Sequence, residues 1–206
     1  MIRKRKIGVL GGSFNPVHVG HILLADYLVQ FSTLDEVWLM LSPLNPLKVH
    51  DGNNMVSDSL RLDMLEIACS GHAGIIPCAI ELTMPRPSYS IDSLGLLSSR
   101  YPECEFHLII GSDNWNIFDR WRDWQTIIRR FRPIVYPRPG YPVDSASVPE
   151  QVTLTEAPVF DISSTFLRKA IAEGHDMELF LPSGVWEYIK SNKLYGYGNP
   201  DKPTDA

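Results

Sequence analysis

Apolar residues fall along this chain in two alternating rhythms. Short runs rich in β-branched and aromatic residues, bounded by Gly or Pro, read as strands, while stretches with apolar residues three and four apart read as helices. The first run covers residues 6–10 and is stopped abruptly by the glycines and proline of residues 11–16. In residues 19–31, Ile22, Leu23, Ala25, Leu28 and Val29 recur at helical spacing, with Asp26 and Gln30 at polar positions. The run EVWLML at 36–41 predicts a second strand. After it comes the proline-containing loop SPLNPLKVHDGNN, then a helix capped near Ser57 or Asp58 and closed by Gly71. Further strands are predicted at 75–82, 105–111 and 133–136, with helices at about 90–99 and 119–130. Alternation of this kind predicts an α/β fold with a doubly wound parallel sheet. Residues 137–149, rich in Pro, Gly and Ser, read as a surface loop. Short helices at 163–173 and 183–192 are expected to end a single domain of residues 1–195, with 196–206 as a polar, poorly ordered tail.

Composition narrows the function classes. A chain of 206 residues with 44% hydrophobic and 21% charged positions suits one soluble, well-buried domain. A net charge of −5 argues against broad nucleic-acid binding, which draws on many Lys and Arg contacts to phosphate, yet allows a local phosphate site. Cys69, Cys78 and Cys104 are odd in number and lack C-x-x-C spacing, so they read as reduced, mostly structural thiols. No secretory leader follows the basic start, and no run approaches the roughly 18 apolar residues that span a bilayer. The expected setting is the cytoplasm, away from membranes, and the sequence leaves a homo-oligomer open.

The segment GGSFNPVHVGH, residues 11–21, stands where the first strand gives way to the first helix. Ligands of open α/β sheets bind beyond the carboxyl ends of strands, and a helix N-terminus there offers backbone N–H groups to phosphate. Gly11, Gly12 and Gly20 let that backbone approach closely. His18 and His21, three apart, fall on one side of a first helical turn and can meet one anion together. A surface pair and half of a metal site are the competing readings, but metal binding lacks further ligands, since His50, His72, His107 and His175 are scattered. The loop is neither a Walker A motif nor G-x-G-x-x-G.

A second segment, DISSTFLR at 161–168, joins a good N-cap at Ser163 or Ser164 to the hydroxyl of Thr165 and the forked donors of Arg168. Asp113, just after a buried strand and Gly111, is placed to accept from ribose hydroxyls. Tyr89, Trp121 and Trp124, judged singly, more often pack than bind.

Residues 11–21 as a whole resemble the signature of the nucleotidylyltransferase superfamily, whose H-x-G-H motif corresponds to His18-Val19-Gly20-His21. DISSTFLR resembles the I-S-S-T-x-I/L-R motif of the same superfamily. PSYSIDSL (87–94), IIGSDN (109–114), FDRWRDW (118–124) and LPSGVWEYIKSNKLYG (181–196) are similar to segments of bacterial nicotinic acid mononucleotide adenylyltransferases. The resemblance covers essentially residues 6–196. It implies a Rossmann-like fold that moves an adenylyl group from ATP, accompanied by Mg²⁺, to nicotinic acid mononucleotide, giving deamido-NAD and pyrophosphate in NAD biosynthesis. It also implies that His18, His21, Lys48 and Arg168 serve catalysis. ATP would contact Gly11, Gly12, Ser13, Phe14, Gly20, Gly111, Asp113, Ser163, Ser164 and Thr165. The mononucleotide would contact Lys48, Tyr89, Ser90, Trp121 and Arg122, with Trp121 stacked on its ring.

The chain departs from the family at Asn45-Pro46-Leu47-Lys48, where members often carry P-P-H-K; Leu47 removes a donor and Lys48 is retained. Ser90 and Ser93 stand where threonines are common, keeping both hydroxyls. The rivals are a related transferase acting on phosphopantetheine, nicotinamide mononucleotide or a CTP-dependent substrate, and a catalytically idle nucleotide sensor. A class I aminoacyl-tRNA synthetase would need a K-M-S-K-S motif and a longer chain.

Overall fold

The structure, a computed structural model, describes residues 3–43 and 55–198. Six strands form one sheet: β1 (Arg5–Gly12), β2 (Glu36–Leu41), β3 (Ile75–Cys78), β4 (Cys104–Gly111), β5 (Ile134–Tyr136) and β6 (Thr153–Leu154). Their order is β3-β2-β1-β4-β5-β6, and every pairing is parallel. The helices are α1 (Val19–Phe31), α2 (Asp58–Cys69), α3 (Ser90–Arg100), α4 (Ser112–Trp115), α5 (Trp124–Phe131), α6 (Ser164–Ala172) and α7 (Val185–Ser191). This is the expected α/β, doubly wound parallel sheet.

Strand side chains alternate between two cores, as a buried parallel sheet requires. Val37, Leu39 and Leu41 of β2 pack on one face, with residues of α1, α2, α6 and α7. Trp38 and Met40 of the same strand pack on the other, with residues of α3 and α5. The chain winds first to one edge and then to the other, so the order reverses between β1 and β4. Their carboxyl ends splay there, and such a switch point is where open α/β sheets receive ligands.

Local signals account for the element ends. Ser57 caps α2 by accepting from the Leu60 N–H at 3.3 Å, and Ser163 caps α6 by accepting from the Phe166 N–H at 3.2 Å. Gly71 follows α2 at φ 81°, the left-handed conformation that lets the chain reverse.

Three expectations are corrected. The strand predicted at 75–82 ends at Cys78, and Ile80–Thr83 is a short 3₁₀ turn, because Glu81 is drawn inward by hydroxyl partners. The helix predicted at 119–130 is broken: Phe118–Arg120 is a 3₁₀ turn, Asp123 takes a left-handed φ of 51°, and α5 begins only at Trp124. The tail does not begin at residue 196, since the Tyr197 ring packs edge-on against Trp186 with centroids 5.4 Å apart. Strand β6, two exposed residues long, carries no pattern by which its sequence could be read.

Cys69, Cys78 and Cys104 are free and buried, and burial pushes the Cys69 thiol up to about 12. Cys69 and Cys78 pack in the two cores, while Cys104 Sγ also accepts from Arg5 Nη2 at 3.7 Å. No helix among the described residues is long and apolar enough to cross a membrane.

Candidate active site

One cavity opens at the carboxyl ends of β1 and β4, a second lies at the start of α1 and beyond the end of β5, and Tyr136 borders both. The larger is lined by Gly11, Gly12 and Gly111 of the strand ends, by Tyr89 and Ser90 at the start of α3, and by Trp121 and Arg122. The smaller is lined by His18, Gly20, His21 and Arg138. Of the residues singled out from sequence, these line one cavity or the other, whereas Ser13, Phe14, Asp113, Ser163, Ser164, Thr165 and Arg168 line neither.

His18 occupies the N-cap of α1, with its ring stacked on that of His21 at a centroid distance of 3.7 Å. The His18 backbone N–H donates to His21 Nδ1 at 3.2 Å, which in a neutral ring leaves the His21 proton on Nε2. Gly20 makes this pairing feasible, because a Cβ there would stand 3.1 Å from His18 Nδ1. Phe14, at φ 42°, is buried and meets His21 edge-on at 5.0 Å, so it can offer a nucleotide only its backbone.

Burial, and then the charge of Arg138, holds the His18 imidazole down at about 4, so it is neutral near pH 7. Burial also lowers His107, beneath the site on β4. Between about pH 6.5 and about pH 4 the unfolded chain takes a proton on the His18 ring that the folded chain refuses, and His107 adds an effect of the same sign. Stability should therefore fall as pH falls through that window and level off below it, His18 alone contributing about 3 kcal/mol. Urea midpoints at about pH 7.5 and about pH 5 should diverge more in the parent than in His18→Gln; parallel behaviour would refute the role of His18.

The loop between β1 and α1 is held from behind by donors from three distant segments. Arg61 Nη1 donates to Ser13 O at 2.6 Å, Arg168 Nη1 to Asn15 O at 2.8 Å, and Ser164 Oγ to Pro16 O at 2.9 Å. Tyr195 Oη adds a hydrogen bond to Asn15 Oδ1 at 3.0 Å. With its carbonyls turned onto these donors, the loop is fixed for whatever its N–H groups meet. Arg168 also donates to Thr165 Oγ1 at 3.3 Å, so its fork is divided between the loop and its own helix. Replacement by Lys keeps the charge but cannot make both bonds. Arg168→Lys should raise the KM for ATP with little change in folding; an unchanged KM would confine this residue to bracing the loop.

Gly111 is required for a different reason. A Cβ there would lie 2.3 Å from Asp113 Oδ1, so the carboxylate folds back over the strand end, 3.8 Å from Arg138 Nε. Asp113 Oδ1 is buried without a hydrogen-bond partner among the described residues, as are His18 Nδ1, Ser88 Oγ and Trp121 Nε1. Such orphan atoms are rare in native interiors; His18 lines the smaller cavity and Ser88 and Trp121 the larger, where a polar ligand would satisfy them, whereas Asp113 and the fifth such atom, His107 Nε2, line neither. Arg122 extends over the Tyr89 ring at 5.0 Å and lies 3.3 Å from Asp92 Oδ2. It is not a helix residue, because the break at Asp123 precedes α5. Lys48 and Leu47 lie outside the described residues.

Sequence reasoning missed Arg61, Arg138 and Glu81. Arg61 could have been found: it shares the spacing of Met64, Leu65 and Ala68, the buried stripe of α2. Arg138 sits in a Pro-Gly turn that reads as surface loop, and Glu81 in a segment that reads as strand.

The sequence profile of the cytidylyltransferase-like family matches residues 9–170. The chain belongs to that family. A probable nicotinate-nucleotide adenylyltransferase of Bacteroides thetaiotaomicron is 49% identical over 187 residues, 91% of this chain and 92% of the relative. A probable nicotinate-nucleotide adenylyltransferase of Bacteroides fragilis is 46% identical over 90% of this chain and 92% of its own. Among solved structures, the Plasmodium falciparum nicotinic acid mononucleotide adenylyltransferase complexed with NaAD shares the fold at a TM-score of 0.74 and 18% identity, over 94% of this chain and 98% of its own. The present chain is a nucleotidyltransferase, with residues 11–21 and 161–168 both inside the span that the family profile matches.

Proposed function

We propose that this protein transfers the adenylyl group of ATP to the 5′-phosphate of nicotinic acid mononucleotide, giving deamido-NAD and pyrophosphate. The observation that carries this reading is the paired cavity: an imidazole-lined side suited to polyphosphate adjoins an aromatic side suited to a ring, and Tyr136 borders both. The names of the Bacteroides relatives point the same way.

A phosphate oxygen of the acceptor attacks the α-phosphorus of ATP in line, and the bond from that phosphorus to the bridging oxygen breaks as pyrophosphate leaves. Catalysis of this kind is positioning and charge stabilisation. His18 and His21 supply imidazole N–H donors to the crowded α-phosphate and the departing group. Backbone N–H groups of the loop at Gly12, Ser13 and Phe14, together with the N-terminus of α6 at Ser163, Ser164 and Thr165, face the phosphates, with Arg168 and Lys48 adding charge. Asp113 accepts from a ribose hydroxyl. Trp121 stacks on the acceptor ring beside Tyr89 and Ser90.

Mg²⁺ accompanies ATP, bound by phosphate oxygens and water. No three His, Cys, Asp or Glu side chains gather as a metal cage among the described residues. When bound, the ion neutralises phosphate charge.

The test is incubation with ATP, Mg²⁺ and either nicotinate or nicotinamide mononucleotide, followed by chromatography. Dinucleotide from the nicotinate compound is expected. Its absence with both acceptors would favour the idle sensor, and a product from the nicotinamide compound alone would move the enzyme to the related transferase.

A further inference from the structure

Glu81 stands on the wall of the larger cavity with 3% of its surface exposed. Its Oε1 accepts from Ser93 Oγ at 2.6 Å and its Oε2 from Ser42 Oγ. Both partners are neutral hydroxyls, and Glu81 makes no ion pair among the described residues. Arg120 and Arg122 line the same cavity, but Arg120 is exposed to water, and Arg122 is engaged by Asp92 and the Tyr89 ring.

An ionised carboxylate buried without a counter-charge is costly, and hydroxyl donors compensate only in part. The arrangement is explained if the ligand brings the missing charge. Resting on the acceptor reading above, we propose that Glu81 is a specificity-determining residue that selects an acceptor whose ring is a cation. A pyridine ring joined to ribose through nitrogen carries a fixed positive charge at every pH. Its charge meets the Glu81 carboxylate, and the Trp121 face adds a cation–π attraction from the same cavity. The opposite end of such a ring, if it bears a carboxylate, meets the N-terminus of α3 at Ser90, where the helix dipole is positive. The cavity and the acceptor are thus polarised in complementary senses.

The experiment compares two acceptors of nearly equal shape: nicotinic acid mononucleotide, and the 5′-phosphate of a C-riboside bearing a neutral 3-carboxyphenyl ring. The parent should prefer the cationic ring by at least about tenfold in kcat/KM, the effect lying mostly in KM. In Glu81→Gln, which keeps the size but removes the charge and turns one accepting oxygen into a donating NH₂, that ratio should collapse toward unity. In Glu81→Asp, which keeps the charge, the ratio should persist even if both rates drop. A purely structural role would lower both substrates together, so an unchanged ratio in Glu81→Gln overturns the proposal. Should Glu81→Gln fail to fold, calorimetric binding of the two mononucleotides to the parent decides, and equal affinity overturns it. If the parent makes no dinucleotide from either acceptor, the transfer reading fails, while the same calorimetry still tests the selection of a cationic ring.

Discussion

Nicotinic acid mononucleotide is expected to exceed nicotinamide mononucleotide by roughly 10⁴-fold in kcat/KM. The two acceptors differ only in carboxylate against carboxamide, so the discrimination must come from donors at that end of the ring. Tyr89 begins α3 without offering a capping side chain, and Ser90, the first helical residue, lines the cavity. The Asp92 N–H is taken by Tyr89 O at 2.9 Å, which leaves the Ser90 and Ile91 N–H groups of that first turn; two such donors suit two carboxylate oxygens and confront an NH₂ with a further donor. A buried mismatch of that sort leaves polar groups unpaired, the costliest outcome in a dry pocket. The Arg122 guanidinium is already shared between Asp92 and the Tyr89 ring, so Arg122→Ala should retain most of the preference. Equal kcat/KM values for the two mononucleotides in the parent would sink the nicotinate assignment, and loss of the preference in Arg122→Ala would transfer its cause to that charge.

The second large effect is expected at the stacked imidazoles. His18→Ala and His21→Ala should each lower kcat by roughly 10²- to 10³-fold while shifting the thermal midpoint by only a few degrees. Each ring is neutral or carries its proton at a defined nitrogen, and each can give one N–H to charge that grows in the transition state. Because the rings touch at 3.7 Å and His21 accepts from the His18 backbone, removing one disturbs the other. The double variant should therefore lose less than the product of the single losses. Single-turnover rates measured beside calorimetric midpoints separate chemistry from folding. A variant that keeps the parent rate would mean that its histidine is only a helix cap.

Periodicity alone was enough to read the α/β class, the strand-to-helix placement of residues 11–21 and the span of α1, because these depend on side chains a few positions apart. The segments 87–94, 109–114, 118–124 and 161–168 were legible as motifs for the same reason, each being continuous in the chain. Tertiary structure decided what no local window contains. The reversal of strand order between β1 and β4 sets the crevice, and it follows from how the layers pack. Arg168 proved to brace the loop at Asn15, 153 residues away, a contact that only the fold creates. Burial of Glu81 and Arg61 and the depressed basicity of His18 likewise arise from exclusion of water by segments remote in sequence. Desolvation is a property of the assembled layers, so a charge that reads as solvated in the sequence becomes a structural or recognising group once the two cores close around it.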